Sequence, residues 1–410
     1  MNSDVSSEKA SQLIKCDAVI SGGGPVGLML ALGLAQQAFQ VVLAEIFVPT
    51  ADAPNSFDGR VLALSHGSML VLKKLNVWND LVEHVTEIHH VHVSQKGYLG
   101  LTKLHAEEVD VPALGYSIQS SDLGKVLWQH VQQNAQIQVL CPARLVTFEE
   151  QESVIQAEIA VDSESKGVPG SSYQIEAKLI VGADGTDSQV RKILGLPIEE
   201  KSYHAFAVIT QIETEMHPQG WSFERFTEKG PVALLPMKGH FHKAVMVCPE
   251  DEIESVKALN DAEYIALFTS KMGERLGRFI QVSPRVIYPL KESYVPRMSK
   301  GRALLMGNAS HTQHPVAAQG LNLGIRDIEV FLEMTSLTDD IGTPEFLTGY
   351  AITRKTDHEK VMGMTDSLID LFQHQSPIVG HLRGVGLMAM QVMPTLKKRF
   401  SRFAMGGNRS

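Results

Sequence analysis

Short solid runs of apolar residues, broken by glycine or polar turns, mark the first half of this chain. Helically spaced apolar positions mark its end. Cys16-Asp17-Ala18-Val19-Ile20 is one such run, with the β-branched and apolar character of a strand buried on both faces. Residues 28–37 are apolar on every side and predict a buried helix. Val41-Val42-Leu43-Ala44 predicts the next strand, closed by Glu45. Residues 137–140, 144–148 and Leu179-Ile180-Val181 predict further strands of the same unit. Met69, Leu70, Leu72 and Leu75 form the apolar side of a helix that Ser65 can cap. Residues 116–134 read as a strand end followed by a helix capped by Ser120 or Ser121.

The middle of the chain changes character. Residues 206–212, 221–226, 232–235, 243–247 and 286–290 are strand-like and suit an antiparallel meander, as a substrate-binding sheet often is. Residues 251–279 read as charged and helical, and 163–172 as a turn between strands. Residues 302–308 read as a strand and turn, 311–320 as a loop, and 321–330 as the start of a long helix. Residues 345–372 and 381–405 carry apolar positions at helical spacing, and Lys397, Lys398, Arg399 and Arg402 end the second stretch. That tail reads either as docking helices over a core or as an amphipathic face near lipid or a prenyl chain.

At 410 residues the chain can bury a large core in one to three domains. Its net charge of −9 argues against a general nucleic-acid binder. Cys16, Cys141 and Cys248 are far apart and form no disulfide framework or zinc site, so a reducing cytoplasm is the natural compartment. Residues 1–15 lack a signal-peptide pattern, and the apolar stretch 18–34 is broken by Gly22-Gly23-Gly24-Pro25, which excludes a membrane span there.

The chemistry concentrates in the glycines. Gly22-Gly23-Gly24-Pro25-Val26-Gly27 fits G-x-G-x-x-G, set between a strand and a helix and followed by an acid at the next strand end. Gly22 suits the tight turn, Gly24 the approach of a pyrophosphate, and Gly27 close helix–strand packing. The helix begun by Pro25 offers unpaired N–H groups, that of Val26 among them, to phosphate. Glu45 sits where a carboxylate accepts from a ribose 2′-hydroxyl, which favours FAD or NAD over NADP. Arg60 suits a phosphate or flavin edge, or is a solvated charge. Asp184, in Gly182-Ala183-Asp184-Gly185, suits a ribose or pyrophosphate contact, or caps a turn. Backbone N–H groups around Gln319, Gly320, Leu321 and Asn322 suit an anionic ring or phosphate. His89, His90 and His92 alternate along a strand, and His311 and His314 lie in a loop, so no metal site is expected.

Together Gly22–Gly27 with Glu45, Gly182–Arg191 and residues 301–327 occur in the order seen in flavin aromatic hydroxylases. The chain resembles the p-hydroxybenzoate hydroxylase-like FAD monooxygenases from about residue 15 onward. Within them it looks most like the ubiquinone-biosynthesis hydroxylases. Phe223-Glu224-Arg225-Phe226-Thr227, Gly230-Pro231-Val232-Ala233-Leu234-Leu235-Pro236 and the stretch from His314 to Asp327 carry this likeness, with Thr365-Asp366 and Pro394-Thr395-Leu396-Lys397. Where the wider family has Gly-Asp this chain has Gly307-Asn308, as in the 2-octaprenyl-6-methoxyphenol hydroxylase branch, and an amide can still bond a ribityl hydroxyl. Ala318 stands where Gly is more usual.

The resemblance implies a mixed α/β (α+β) fold: a Rossmann-like FAD-binding domain interleaved with an antiparallel-sheet substrate domain and a C-terminal helical segment. It places the FAD domain at 15–75, 115–195 and 285–345, the substrate domain at 76–114 and 196–284, and the helical region at 346–410. It implies FAD as resident cofactor and NAD(P)H or another donor as reductant. O2 then reacts through a flavin hydroperoxide that hydroxylates a prenylated phenol. The loop with His314, Pro315, Gln319 and Gly320 is the implied flavin and substrate contact, and residues 223–236 the substrate wall. Peripheral contact with the inner membrane, or delivery by a ubiquinone-biosynthesis complex, would bring in the lipid substrate. A hydroxylase for another ring position or a non-prenylated aromatic, a non-catalytic flavin-binding subunit, and an NAD-dependent dehydrogenase are the alternatives.

Overall fold

In the computed structural model, which describes residues 13–48, 60–161, 172–313, 319–373 and 377–406, the first apolar run becomes the strand Leu13–Ser21. It lies mid-sheet, parallel to Ser172–Gly182 on one side and to Val41–Ala44 on the other. Ile137–Leu140 and Ala303–Leu305 extend the parallel core at its two ends. Ala143–Glu150 and Ile155–Val161 add an antiparallel flap. The helix Pro25–Gln36 packs on this sheet, and every residue from Gly27 to Ala35 is buried. Its neighbours are the helices Ser120–Gln132 and Gln319–Thr335. An all-round apolar helix is what this enclosed position demands.

A second sheet of nine strands runs from His311–Thr312 through Val286–Tyr294, Glu199–Thr214, Phe241–Pro249, Gly230–Pro236 and Trp221–Thr227 to His90–Gln95 and Leu101–His105, with Phe279–Val282 beside Glu199–Thr214. One face packs on the helix Asp261–Met272 through Val208, Phe223, Leu234, Met246, Tyr264 and Phe268. The sheet is not wholly antiparallel: Trp221–Thr227 pairs in parallel with His90–Gln95. A small third sheet, Val61–Ser65, Gly115–Gln119 and Val85–Ile88, joins the two bodies.

Several local expectations are corrected. Gln119, not Ser120 or Ser121, precedes the helix Ser120–Gln132, and no side chain caps it. The stretch read as helical to residue 279 divides: Asn260 and Glu263 form a capping box that starts Asp261–Met272, and Phe279 opens a strand. Val286–Tyr294 and His311–Thr312 fall beyond the expected substrate-domain boundary at 284, yet pair within the nine-stranded sheet. The turn expected at 163–172 lies almost wholly outside the described residues. Ser65 does cap its helix, accepting from Ser68 N at 3.1 Å.

The tail forms two helices, Pro377–Val392 and Pro394–Ala404, docked over the edge strand Leu101–His105. Thr102 Oγ1 donates to Leu387 O at 2.7 Å, and Lys103 N donates to Gln391 Oε1 at 2.7 Å. Lys397 Nζ reaches Glu108 at 2.7 Å, and Gly67 N donates to Met405 O at 2.9 Å. The tail is thereby tied to both bodies.

Candidate active site

Three turns, each more than a hundred residues from the next, meet at the C-terminal ends of the parallel strands, the usual ligand crevice of such a sheet. Gly22 adopts φ +109°, and a Cβ there would lie 2.5 Å from Ala183 O, so the first and second turns touch. Ala183 N donates to Ser21 O at 2.8 Å, and Met306 N donates to Gly182 O at 2.9 Å, which ties in the third. Val26 closes the triangle against Gly307 and Gly324.

The turns leave room for a ligand. Gly24 has nothing within 4 Å of where a Cβ would stand, although Gly27, three residues on, is packed so tightly that a Cβ would meet Gly22 O at 2.0 Å. Gly320, at the start of Gln319–Thr335, is equally open. Asp184 Oδ2 accepts from Gln189 N at 2.8 Å, while its Oδ1 is buried without a hydrogen-bond partner. A buried acceptor left unmet costs about 1–3 kcal/mol and marks a place for a donor on a ligand. Glu45 accepts from Gly23 N and, at 2.8 Å, from Phe47 N, so its carboxylate lies against the glycine turn. These residues fit a flavin dinucleotide: an open phosphate cradle, flanking carboxylates and a second helix start facing the same crevice.

Other expected residues are placed as follows. Asn308 is exposed on the short turn Gly307–Ala309, beside the cradle. Arg60 is exposed, with its guanidinium 5.8 Å from the Tyr288 ring. Asn322 is buried; its Oδ1 accepts from Ser65 N at 2.8 Å and Ser68 Oγ at 2.7 Å, and its Nδ2 donates to Ala63 O at 2.9 Å. Its side chain thus fastens the helix start to the third sheet, which leaves only its backbone for the expected role. His314, Pro315 and the side chain of Gln319 lie outside the described residues.

Behind the helix start lies a buried ionic knot. Asp327 accepts from Arg354 Nε at 2.6 Å and bonds His358 Nε2 at 2.8 Å, with His311 Nδ1 at 3.7 Å. Burial alone would raise the Asp327 carboxyl, but His358, Arg354 and His311 around it hold it well below the usual carboxylate range. Burial pushes His311 down to about 3, so it is neutral at pH 7. Three of these groups have metal-ligand spacing, but the Arg354 guanidinium already serves as the cation.

Against Asn322, in the first turn of Gln319–Thr335, lies an apolar cavity of about 300 Å³. Its floor is the outer face of the nine-stranded sheet, where Phe226, Pro231, Ala233 and Leu235 from the 223–236 stretch line it. Ala63, Ser65 and Asn322 form the end near the crevice, and Leu387, Met390, Phe400 and Met405 of the tail form the roof. Two charged side chains, Glu224 and Lys243, line it among the described residues. In the sequence Glu224 stands only as part of the Phe223–Thr227 likeness and Lys243 only as a strand residue, neither with a role of its own; strand alternation, which puts Ser222, Glu224 and Phe226 on one face, is the signal that marks out Glu224.

A family model described as an FAD binding domain matches residues 15–364. Ubiquinone hydroxylase UbiL of Rhodospirillum rubrum is 30% identical over 394 residues, covering 95% of this chain and 89% of that protein. The 3-demethoxyubiquinol 3-hydroxylase of Escherichia coli is 27% identical over 95% of this chain and 98% of that protein. Among solved structures, p-nitrophenol 4-monooxygenase PnpA from Pseudomonas putida shares the fold at a TM-score of 0.77 and 16% identity, covering 97% of this chain and 100% of that one. With its glycine cradle, orphan carboxylate oxygen and apolar cavity, this chain belongs to the family of FAD-dependent monooxygenases that includes the ubiquinone hydroxylases.

Proposed function

We propose that this enzyme hydroxylates the ring of a prenylated phenol in ubiquinone biosynthesis, with 2-octaprenyl-6-methoxyphenol as the substrate and NAD(P)H as the reductant. The observation that carries the reading is the apolar cavity running from Asn322, near the helix start, to the tail helices. Bound FAD supplies the reductive activation of O2 that puts one oxygen atom into the ring. The chain's own groups then have defined tasks. N–H groups from Gly24 to Gly27 face the pyrophosphate, and Pro25 starts the helix without wasting a donor. Glu45 takes a ribose hydroxyl, Asp184 Oδ1 and Asn308 take hydroxyls of the sugar and ribityl chain, and Arg60 a phosphate. Gly307 lets the third turn approach Val26. Gly320 and Leu321 present backbone N–H groups to the ring, with His314, Pro315 and Gln319 completing the loop. The cavity walls exclude water from the reacting ring.

A cavity of about 300 Å³ holds the ring and the first part of a prenyl chain, at the low end of small-molecule pockets, about 300–1,000 Å³. The rest of the chain must leave past the tail. The outward side of that tail is apolar: Leu382 is 64% and Val392 73% exposed, with Val385, Met393 and Leu396 also exposed. Lys398, Arg399 and Arg402 are exposed beside them. No helix among the described residues is long and apolar enough to cross a membrane. The tail face therefore suits a cytoplasmic enzyme resting on the inner leaflet, where the substrate dissolves. Replacing Leu382 and Val392 by Glu is expected to lower binding to anionic phospholipid vesicles at least ~10-fold, about 1.4 kcal/mol, with flavin content unchanged. Unchanged sedimentation with vesicles would leave delivery by a partner complex as the route.

The test of function is direct. The protein should purify with FAD and, with NADPH and O2, hydroxylate a short-chain prenylated methoxyphenol far faster than the same ring without its tail. Equal rates would favour a non-prenylated aromatic. Flavin binding with no substrate-stimulated reductant oxidation would favour a non-catalytic subunit. The quinone intermediate accumulating in a strain without this protein identifies the ring carbon.

A further inference from the structure

The cavity wall contains a carboxyl that nothing in the fold neutralises. Glu224 lies on the strand Trp221–Thr227, opposite Val93 on one side and Ala233 on the other. Ala233 in turn faces Val245, and Val245 faces Ile209. All four of these neighbours line the cavity, so the row across the sheet is apolar on both sides of the carboxyl. No hydrogen bond or ion pair reaches Glu224 among the described residues. Burial pushes its carboxyl up to about 7. An unpaired carboxyl in an apolar wall is costly to keep, and such groups concentrate at sites of proton transfer.

The surroundings of Glu224 are simple. From the neighbouring strand Phe241–Pro249, Lys243 enters the same cavity, with its Nζ donating to Val61 O at 2.5 Å. The other strands and the tail helices present no titratable side chain to the cavity among the described residues; they offer Val91, Thr102, Leu104, Leu387 and Phe400. A phenol ring placed here meets one group able to accept its proton and one cation able to favour the resulting anion.

We propose that Glu224 is the base that removes the phenolic proton, a catalytic residue for the hydroxylation proposed above and dependent on that reading. The phenol O–H bond breaks, its electron pair stays on oxygen, and the proton forms an O–H bond on the Glu224 carboxylate. No electron is transferred between the two. The anion pushes charge into the ring, which makes the ring carbon a better nucleophile toward oxygen. Glu224 releases the proton to bulk water before the next turnover.

The test uses the FAD-loaded enzyme and its Glu224→Gln variant with a short-chain prenylated methoxyphenol. The variant should keep its flavin and bind the phenol normally, while kcat falls roughly 10²–10³-fold, within the usual range for a lost general base. Wild-type kcat should fall tenfold per pH unit below about pH 7, because the base must be ionised, and the variant's profile should be flat there. A ring-fluorinated phenol, already ionised at pH 8, should restore most of the variant's rate, which a merely structural role would not allow. A second readout needs no turnover. The Glu224 pKa lies above its unfolded value, so its stability contribution is lost as pH rises through about 7. The variant should therefore melt progressively higher than wild type between pH 5 and pH 8. Should Glu224→Gln fail to fold, Glu224→Asp should be slower yet keep the pH slope. A Gln variant as fast as wild type with the same slope, or a melting gap independent of pH, overturns the assignment. Wild-type enzyme that hydroxylates no prenylated phenol overturns the functional reading instead, whatever Glu224 does.

Discussion

Gly24→Val should yield a well-folded apoprotein that does not retain flavin. Gly24 has φ −71° and ψ 175°, ordinary extended backbone that valine adopts readily. Nothing stands within 4 Å of where its Cβ would lie, so the first added carbon meets no protein atom. The melting temperature of the apoprotein should stay within a degree or two of wild type. The same empty space is where a pyrophosphate must approach the backbone, and the added isopropyl group fills it. FAD affinity should fall at least ~100-fold, about 2.7 kcal/mol. Wild type should gain about 2.7 kcal/mol of stability at a hundredfold excess of FAD over Kd, and the variant almost none. Gly22→Ala makes the contrast. There φ is +109° and the methyl would meet Ala183 O at 2.5 Å, so that variant should lose fold stability as well as flavin. A yellow Gly24→Val protein with full flavin content would remove the phosphate cradle from Gly24.

What could be read in the sequence was what is encoded locally. The strand, turn, helix and strand from Cys16 to Glu45 follow from neighbouring residues, since a strand buried on both faces and a helix buried all round must be apolar throughout. The convergence of three turns followed from a resemblance, not from spacing, because nothing local says that Gly22 will touch Ala183. Asn322 shows the same boundary. Its place at a helix start is local, but its amide is held by Ser65 and Ser68, over 250 residues away. Glu224 was hidden for a different reason. Ser222 and Glu224 alternate with Phe223, and a polar face on a strand ordinarily meets water. Here tail residues such as Leu387 and Met405 roof that face and turn it into a wall. The tail itself reads the same from sequence whether its apolar residues face protein or lipid, and in the fold Leu387 faces inward while Leu382 faces out.

The other large effect is expected far from the cradle. Asp327→Asn should cost about 3 kcal/mol of stability, measured as a lower urea midpoint at unchanged slope. The Asp327 and Arg354 side chains are 2% and 3% exposed, so the variant leaves a guanidinium buried without its main counter-charge. Breaking such a pair usually costs about 3–5 kcal/mol; the lower end applies because Arg354 Nη2 still reaches Asp357 at 2.7 Å. Asp327 is held below its unfolded pKa, so its stabilisation is full above about pH 4 and fades as pH falls. His311, neutral in the fold down to about 3, also loses stability as acid protonates the unfolded chain. Wild type should therefore lose stability steeply in acid, and its advantage over Asp327→Asn should shrink below pH 4. Pairing Asp327→Asn with Arg354→Met should recover part of the loss, since the stranded charge goes with the arginine. Flavin should respond too. The knot braces Gln319–Thr335 against Pro344–Gln373 and so sets where Gly320 and Leu321 stand. FAD affinity should drop in Asp327→Asn and return in the double variant. A cost below about 1 kcal/mol would mean that the helix start is held by the Asn322 bonds alone, each worth about 0.5–1.5 kcal/mol.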